Sequence, residues 1–292
     1  MIVVTTPTGS IGHQVLDAVL DSGRPVRVIA RDPARLSARA RAEAEIVLGS
    51  MADSGVVTEA FTGADSVFWV VPPNPRADSI AGHVLEFTRP LCEAIAAKRF
   101  ERVVAVSSLG RATARNAGQI SAIFAMDHLV ESTGVHYRSL CPPGFMENLL
   151  RQVEPIKNQG MFFGPTSGDR KAPQCSTRDI AAVATELLLD NSWTGQSSVP
   201  ILGPADLSSD EMAEIVSEVL GRPVRYQQVD PEAFKANLTR NGLSDAWAQG
   251  LLDMGNAVDQ GIYDAEAALT EYRTPTGFRQ WCEEVLKPAV AA

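Results

Sequence analysis

Residues 1–12 read MIVVTTPTGSIG, and HQVLDAVLDSG completes the stretch to Gly23. Ile2–Thr5 is a short β-branched run that predicts a buried strand. A turn containing Gly9 and Gly12 follows, and then a helical pattern from about Ser10 to Asp21. A strand running through such a turn into a helix leaves unpaired backbone N–H groups at the helix N-terminus, which is the geometry that holds a phosphate. Gly9 would let the backbone approach a pyrophosphate, and Gly12 would allow close packing of helix on strand. The turn departs from the usual pattern at its start. Thr6 stands where a dinucleotide-binding turn begins with glycine, and Pro7 after it predicts an extended Thr6.

The same rhythm extends outward. VRVIA (26–30), EIVL (45–48), SVFWVV (66–71), RVVAVSS (102–108) and VHYRSL (135–140) are apolar runs separated by helical patterns. With the first strand they make six strand–helix units in 150 residues. Strands apolar on both faces, alternating with helices, predict an α/β fold built on a doubly wound parallel sheet. Past Lys157 the pattern changes to GMFFGP, a helix TRDIAAVATELLLD, a strand SVPIL, a helix SSDEMAEIVSEVLG and a largely helical remainder. We therefore expect a nucleotide-binding domain over 1–157. A smaller, mainly helical substrate lobe over 158–292 is interleaved with it.

Composition narrows the partners. The 292 residues are 45% hydrophobic with a net charge of −9. That charge argues against nucleic acid and acidic membrane surfaces, which select a basic face. Cys92, Cys141, Cys175 and Cys282 lack metal-ligand spacing and read as reduced thiols, and the four histidines have no i+4 partner, so no metal site is expected. The absence of a signal-like start and of a long apolar run predicts a cytoplasmic protein. No nucleophile elbow is present, which counts against a hydrolase.

The end of the second strand selects a cofactor. An NAD site places an acid there for the ribose 2′-hydroxyl. Here VIARDPARL puts Arg31 first beyond the strand, and a guanidinium suits a 2′-phosphate. NADPH is expected in preference to NADH. Asp32 ahead of Pro33 reads as a helix cap.

With VTTPTGSIG, ARDP, VSSLG, PPGFMENLL and STRDIAAVATELL in this order, the chain resembles the NmrA-like group, atypical members of the short-chain dehydrogenase/reductase superfamily. The resemblance implies a Rossmann domain with a small substrate lobe and usually NADP(H). It implies either reduction of quinones, azo or triarylmethane dyes and phenylpropanoid-type substrates, or dinucleotide sensing without turnover. Residue by residue, it puts Thr6 in the turn, Thr8, Gly9, Ser10, Ile11 and Gly12 on the pyrophosphate and Arg31 on the 2′-phosphate. Ser50–Asp53 fall near the adenine, and Val71 and Pro72 along the ribose and nicotinamide. Ser107 and Ser108 lie below these, and Pro143, Gly144 and Phe145 beside the nicotinamide. Phe145, Met146, Asn148 and Phe162 would wall a pocket for a small apolar or aromatic substrate, which Trp247 and Met254 could close. A homodimer is left open.

The departures bear on chemistry. The superfamily's Tyr-x-x-x-Lys pair is missing: none of the four tyrosines has a lysine four residues on, and no lysine occurs between Lys98 and Lys157. The family's Arg-Pro after the sixth strand is Cys141-Pro142. Hydride transfer to a conjugated or quinone-like acceptor needs little acid–base apparatus from the protein. We therefore expect a reductase of such acceptors. A non-catalytic NAD(P)-sensing protein with a protein partner is the alternative.

Overall fold

A computed structural model of the chain describes residues 1–97, 100–113 and 115–292. Its centre is a seven-stranded parallel sheet. The strands are β1 (Ile2–Val4), β2 (Val26–Ala30), β3 (Glu45–Leu48), β4 (Ser66–Trp69), β5 (Arg102–Val106) and β6 (His136–Cys141). Three short strands follow, β7 (Gly144–Phe145), β8 (Met161–Gly164) and β9 (Ala172–Cys175), before β10 (Gln196–Pro200) completes the sheet. The order is β10-β6-β5-β4-β1-β2-β3. The chain reverses direction across the sheet between β1 and β4, and the crevice above that switch point is where open α/β sheets bind ligands.

The sheet has two faces because strand side chains alternate. In β1, Ile2 and Val4 enter one core and Val3 the other. The first core is covered by α1 (Gly12–Asp21), α2 (Ala38–Glu43) and α7 (Thr177–Leu189). The second is covered by α3 (Ser54–Phe61), α4 (Ile80–Ala96) and α5 (Gln119–Ser132). α1 buries Val15, Leu16, Val19 and Leu20 on one side, each contributing about 1.5–3 kcal/mol in transfer from water. This is the Rossmann-type architecture that the strand–helix alternation predicts.

β10 and α7 both belong to this layer, so the main domain takes residues from beyond 157. Around them lies a second unit with its own apolar core, including Met146, Ile156, Phe162, Val216, Phe278 and Trp281. It contains α6 (Val153–Gln159) and α8 (Ser209–Leu220), with β11 (Asp206–Leu207) pairing β9 and β12 (Arg225–Gln228) pairing β8, and α9 (Pro231–Arg240), which has no buried residue, follows β12. α8 opens with a full capping box, Ser208 with Glu211, the role that the SSDE spacing predicts. α10 (Asp245–Asp259) and α11 (Asp264–Leu269) bring the chain back over the main domain. There Leu109, Ile120 and Phe124 share a fourth core with Ile262, Tyr263 and Ala267.

Candidate dinucleotide and substrate site

The turn after β1 is built differently from the sequence-based expectation. Thr6 is not extended: its φ is +49°, in the left-handed region that glycine occupies freely. The restriction from Pro7 is overridden because the turn closes on Thr6. The Thr6 carbonyl accepts from Gly9 N at 2.9 Å, and it lies only 2.1 Å from where a side chain on Gly12 would begin. Helix α1 is therefore seated directly on the Thr6 carbonyl, and no residue but glycine fits at 12. Just before it, Thr5 prolongs the β1–β4 ladder, its hydroxyl donating to the Phe68 carbonyl at 2.8 Å and accepting from Val70 N at 3.2 Å.

This packing leaves a cradle. Gly9 N and His13 N are used inside the turn, whereas among the described residues Ser10, Ile11 and Gly12 N–H have no backbone acceptor. α1 also has no acidic residue in its first turn to occupy its positive end. Beside the cradle a groove of about 350 Å³ is lined by Pro7, Thr8 and His13 on one side and Arg35, Leu36 and Ser37 on the other. Arg31, first after β2, is exposed. Asp32 does cap the short helical turn Pro33–Arg35, accepting from Ala34 N at 3.0 Å. Asp53 caps α3 through Oδ1, from Gly55 N at 2.7 Å and Val56 N at 3.2 Å, so that carboxylate is engaged in holding its own helix.

Farther along the edge, Val71 and Pro72 are half-buried after β4, and the Pro72 carbonyl is held by His83 Nε2 at 2.7 Å. Ser107 and Ser108 follow β5 and are nearly buried. Pro143 is buried after β6 and leads into Phe145, which is half-buried against the sheet's core. These positions and the glycine turn lie on one edge of one sheet. The four residues expected to wall a pocket do not come together in the same way. Met146 and Phe162 sit in the lobe's core, the Phe162 ring packed at a tilt against Tyr226 with centroids 5.3 Å apart, while Asn148 is exposed. Its neighbour Glu147 holds α7 instead, accepting from Ser176 Oγ, Thr177 N and Trp281 Nε1 at 3.0–3.2 Å.

Two features of this edge escape a motif search. The first is a clasp from the C-terminal part of the chain. The Glu266 carboxylate accepts from Gly110 N and Ala112 N at 3.0 and 2.8 Å, and Thr113 donates to the Ile262 carbonyl at 2.9 Å. The clasp brings the Tyr263 phenol beside Ser108, and burial pushes that phenol up to about 12, so it stays protonated. The second is Asp127, fully buried on α5, whose carboxyl meets three hydroxyls. They are Ser107 at 2.6 Å, Tyr137 at 2.6 Å and Ser139 at 3.1 Å. Burial raises the Asp127 carboxyl above its ordinary range against the opposing pull of those hydrogen bonds. An acid inside the apolar run FAMDHLV is the one trace it leaves in the sequence.

Comparison with known proteins finds relatives over most of the chain. The NAD(P)H azoreductase of Xenophilus azovorans is 27% identical over 261 residues, 87% of this chain and 86% of its own length. Quinone oxidoreductase 2 of Escherichia coli is 23% identical over 274 residues, 93% of each chain. Its crystal structure complexed with NADPH superposes with a TM-score of 0.78, at 22% identity over 100% of this chain and 99% of that one. A nucleoside-diphosphate-sugar epimerase from Staphylococcus aureus superposes at 0.82 with 17% identity, covering 97% and 99%, which speaks to the fold alone. The NmrA-like family model matches residues 1–279, and the chain belongs to that family.

Proposed function

We propose that the protein is an NADPH-dependent reductase of conjugated, quinone-like small molecules that works without a Tyr-Lys pair. The observation that carries this reading is the cradle after β1: three N–H groups without backbone acceptors among the described residues, on a helix seated so closely that only glycine fits at position 12. A pyrophosphate fits such a site because its oxygens accept from fixed N–H donors at the positive end of a helix. Thr8 through Gly12 would hold it. Arg31 would pair with the 2′-phosphate, and Arg35 closes the adjoining groove. The reduced relatives' substrates, azo compounds and quinones by their names, share an extended π-system that takes a hydride readily.

NADPH supplies the hydride when bound. The chain's own residues then orient and desolvate. Val71, Pro72 and Pro143 shape the sheet edge, and His83 fixes the Pro72 carbonyl. The 261–266 segment, pinned by Glu266, lies against the loop after β5 and would help to keep water from the site. Four unpaired cysteines, three of them buried, suit a reducing compartment, and we place the protein in the cytoplasm. Among the described residues no helix is long and apolar enough to cross a membrane.

A panel of quinones and azo dyes, assayed with NADPH, tests the reading. Oxidation of NADPH that depends on the acceptor is the expected result. Tight NADPH binding with no turnover on any acceptor would select the sensing alternative.

A further inference from the structure

The cluster around Asp127 is not used by the reading above, and its chemistry is unusual for a buried acid. Asp127 is 0% exposed on a helix face otherwise made of Ile120, Ala122, Phe124, Met126 and Val130. Its three partners come from two strands: Ser107 after β5, and Tyr137 and Ser139 on β6. Every partner is a hydroxyl. A hydroxyl can donate or accept, so this set satisfies the carboxyl in both its ionised and its protonated form without breaking a contact. The buried Asp179 on α7 differs, being held by the fixed N–H of Thr276 together with the Thr276 hydroxyl. A backbone N–H can only donate.

Among the described residues of the cluster, Ser107 is the most exposed. Tyr137 is 0% exposed and Ser139 1%, whereas Ser107 is 8% exposed at the carboxyl end of β5, on the edge assigned to cofactor and acceptor. The charged group acting on Asp127 from outside the cluster is Arg111, beyond β5, and it is engaged in a two-point pair with Glu131. His128 on the same helix is exposed, and the Cys141 thiol, pushed up to about 11 by burial, stays neutral next to Ser139. From α4, His83 is turned to the Pro72 carbonyl.

Resting on the reductase reading, we propose that Ser107 hands a proton to the reduced acceptor. Asp127, acting through it, is the positioning residue that resupplies that proton. A quinone that has received a hydride carries two new electrons and one hydrogen, and one of its oxygens is anionic. Ser107 Oγ–H protonates that oxygen, and the Asp127 carboxyl passes its own proton to Ser107 Oγ across 2.6 Å. Asp127 is left as a carboxylate held by Tyr137 and Ser139. Water returns the proton through Ser107 once the hydroquinone has left. NADPH is the reductant, and the net reaction consumes one proton from solvent.

The test uses two acceptors and three full-length proteins: wild type, Asp127→Asn and Ser107→Ala. A water-soluble benzoquinone needs hydride and proton, whereas a cationic triarylmethane dye takes hydride at carbon and needs no proton. The proposal predicts that the ratio of quinone to dye turnover falls by about tenfold or more in both variants. Asp127→Asn keeps its NADPH affinity by calorimetry. Independently of activity, infrared titration of the cofactor-free wild type shows a carboxylic-acid band persisting where exposed carboxylates are ionised, and Asp127→Asn lacks it. An unchanged turnover ratio, or a band indifferent to Asp127→Asn, overturns the proposal. A wild type that reduces the dye alone also overturns it. If the wild type reduces the quinone alone, a solvent deuterium isotope effect lost in Asp127→Asn supports the relay, and one retained overturns it. A wild type that binds no NADPH, or reduces neither acceptor, fails at the reductase reading itself and takes the relay with it.

Discussion

At the scale of single residues, the turn after β1 shows how far a motif can bend and still keep its geometry. A β-branched residue in the left-handed region costs about 1–3 kcal/mol, and Thr6 is held there at φ +49° by the closure of the turn on its carbonyl. Thr6→Gly removes that strain at the expense of some backbone entropy, so we expect a net stabilisation of about 1 kcal/mol with NADPH binding retained. Urea denaturation checks it, and a loss of stability would mean that the threonine side chain supports the turn. Gly12→Ala should do the opposite. Its Cβ would sit 2.1 Å from a backbone oxygen, so α1 must move and NADPH affinity should fall by an order of magnitude or more in a calorimetric titration. The glycine spacing was legible in the sequence because a close backbone approach leaves a glycine behind. The conformation of Thr6 was not, because the local rule before proline points to extended geometry and the closed turn prevails over it.

At the scale of elements, two contacts invisible to periodicity hold the edge together. Glu147 sits next to the expected substrate residue Met146 yet ties α7 and Trp281 to the chain after β6. Glu147→Ala strands a backbone N–H and an indole N–H, and we expect it to cost about 2–4 kcal/mol in chemical denaturation. Helix α5 carries the other. Because burial raises the Asp127 carboxyl in the folded state, the folded protein holds that proton at pH values where the unfolded chain has released it. Its contribution to stability is thus fully present below the ordinary aspartate range near 3.8 and is lost as pH rises through the folded value. The wild type should lose stability relative to Asp127→Asn across that window, by about 1.4 kcal/mol for each unit of difference. Parallel urea titrations at a series of pH values read this directly, and parallel slopes would contradict it. A helical pattern between the fifth and sixth strands is legible in the sequence, and α5 occupies it. That pattern could not supply the partners of Asp127, which come from strands ten and twenty residues away.

At the scale of the whole molecule, the sheet was legible because its inner strands β1, β4 and β5 are apolar on both faces and helical patterns separate the strands. The seventh, Gln196–Pro200, is less marked: its first three residues are exposed at the sheet's edge. The lobe's internal arrangement was less legible still. Met146 and Phe162 have the apolar character of a pocket wall and equally of a core, and the structure puts them in the core. The clasp of Glu266 on residues 110–112 joins segments some 150 positions apart, which no local pattern encodes. The proposed function requires that the β1–α1 turn and Arg31 together hold a dinucleotide bearing a 2′-phosphate. Calorimetric titration of the wild-type protein with NADPH and then NADH, repeated on Arg31→Ala, tests it most directly. The expected result is micromolar NADPH binding, at least about tenfold tighter than NADH, with most of that preference gone in Arg31→Ala. Equal affinities would remove Arg31 from the phosphate site, and no binding of either nucleotide would contradict the reading of the turn itself.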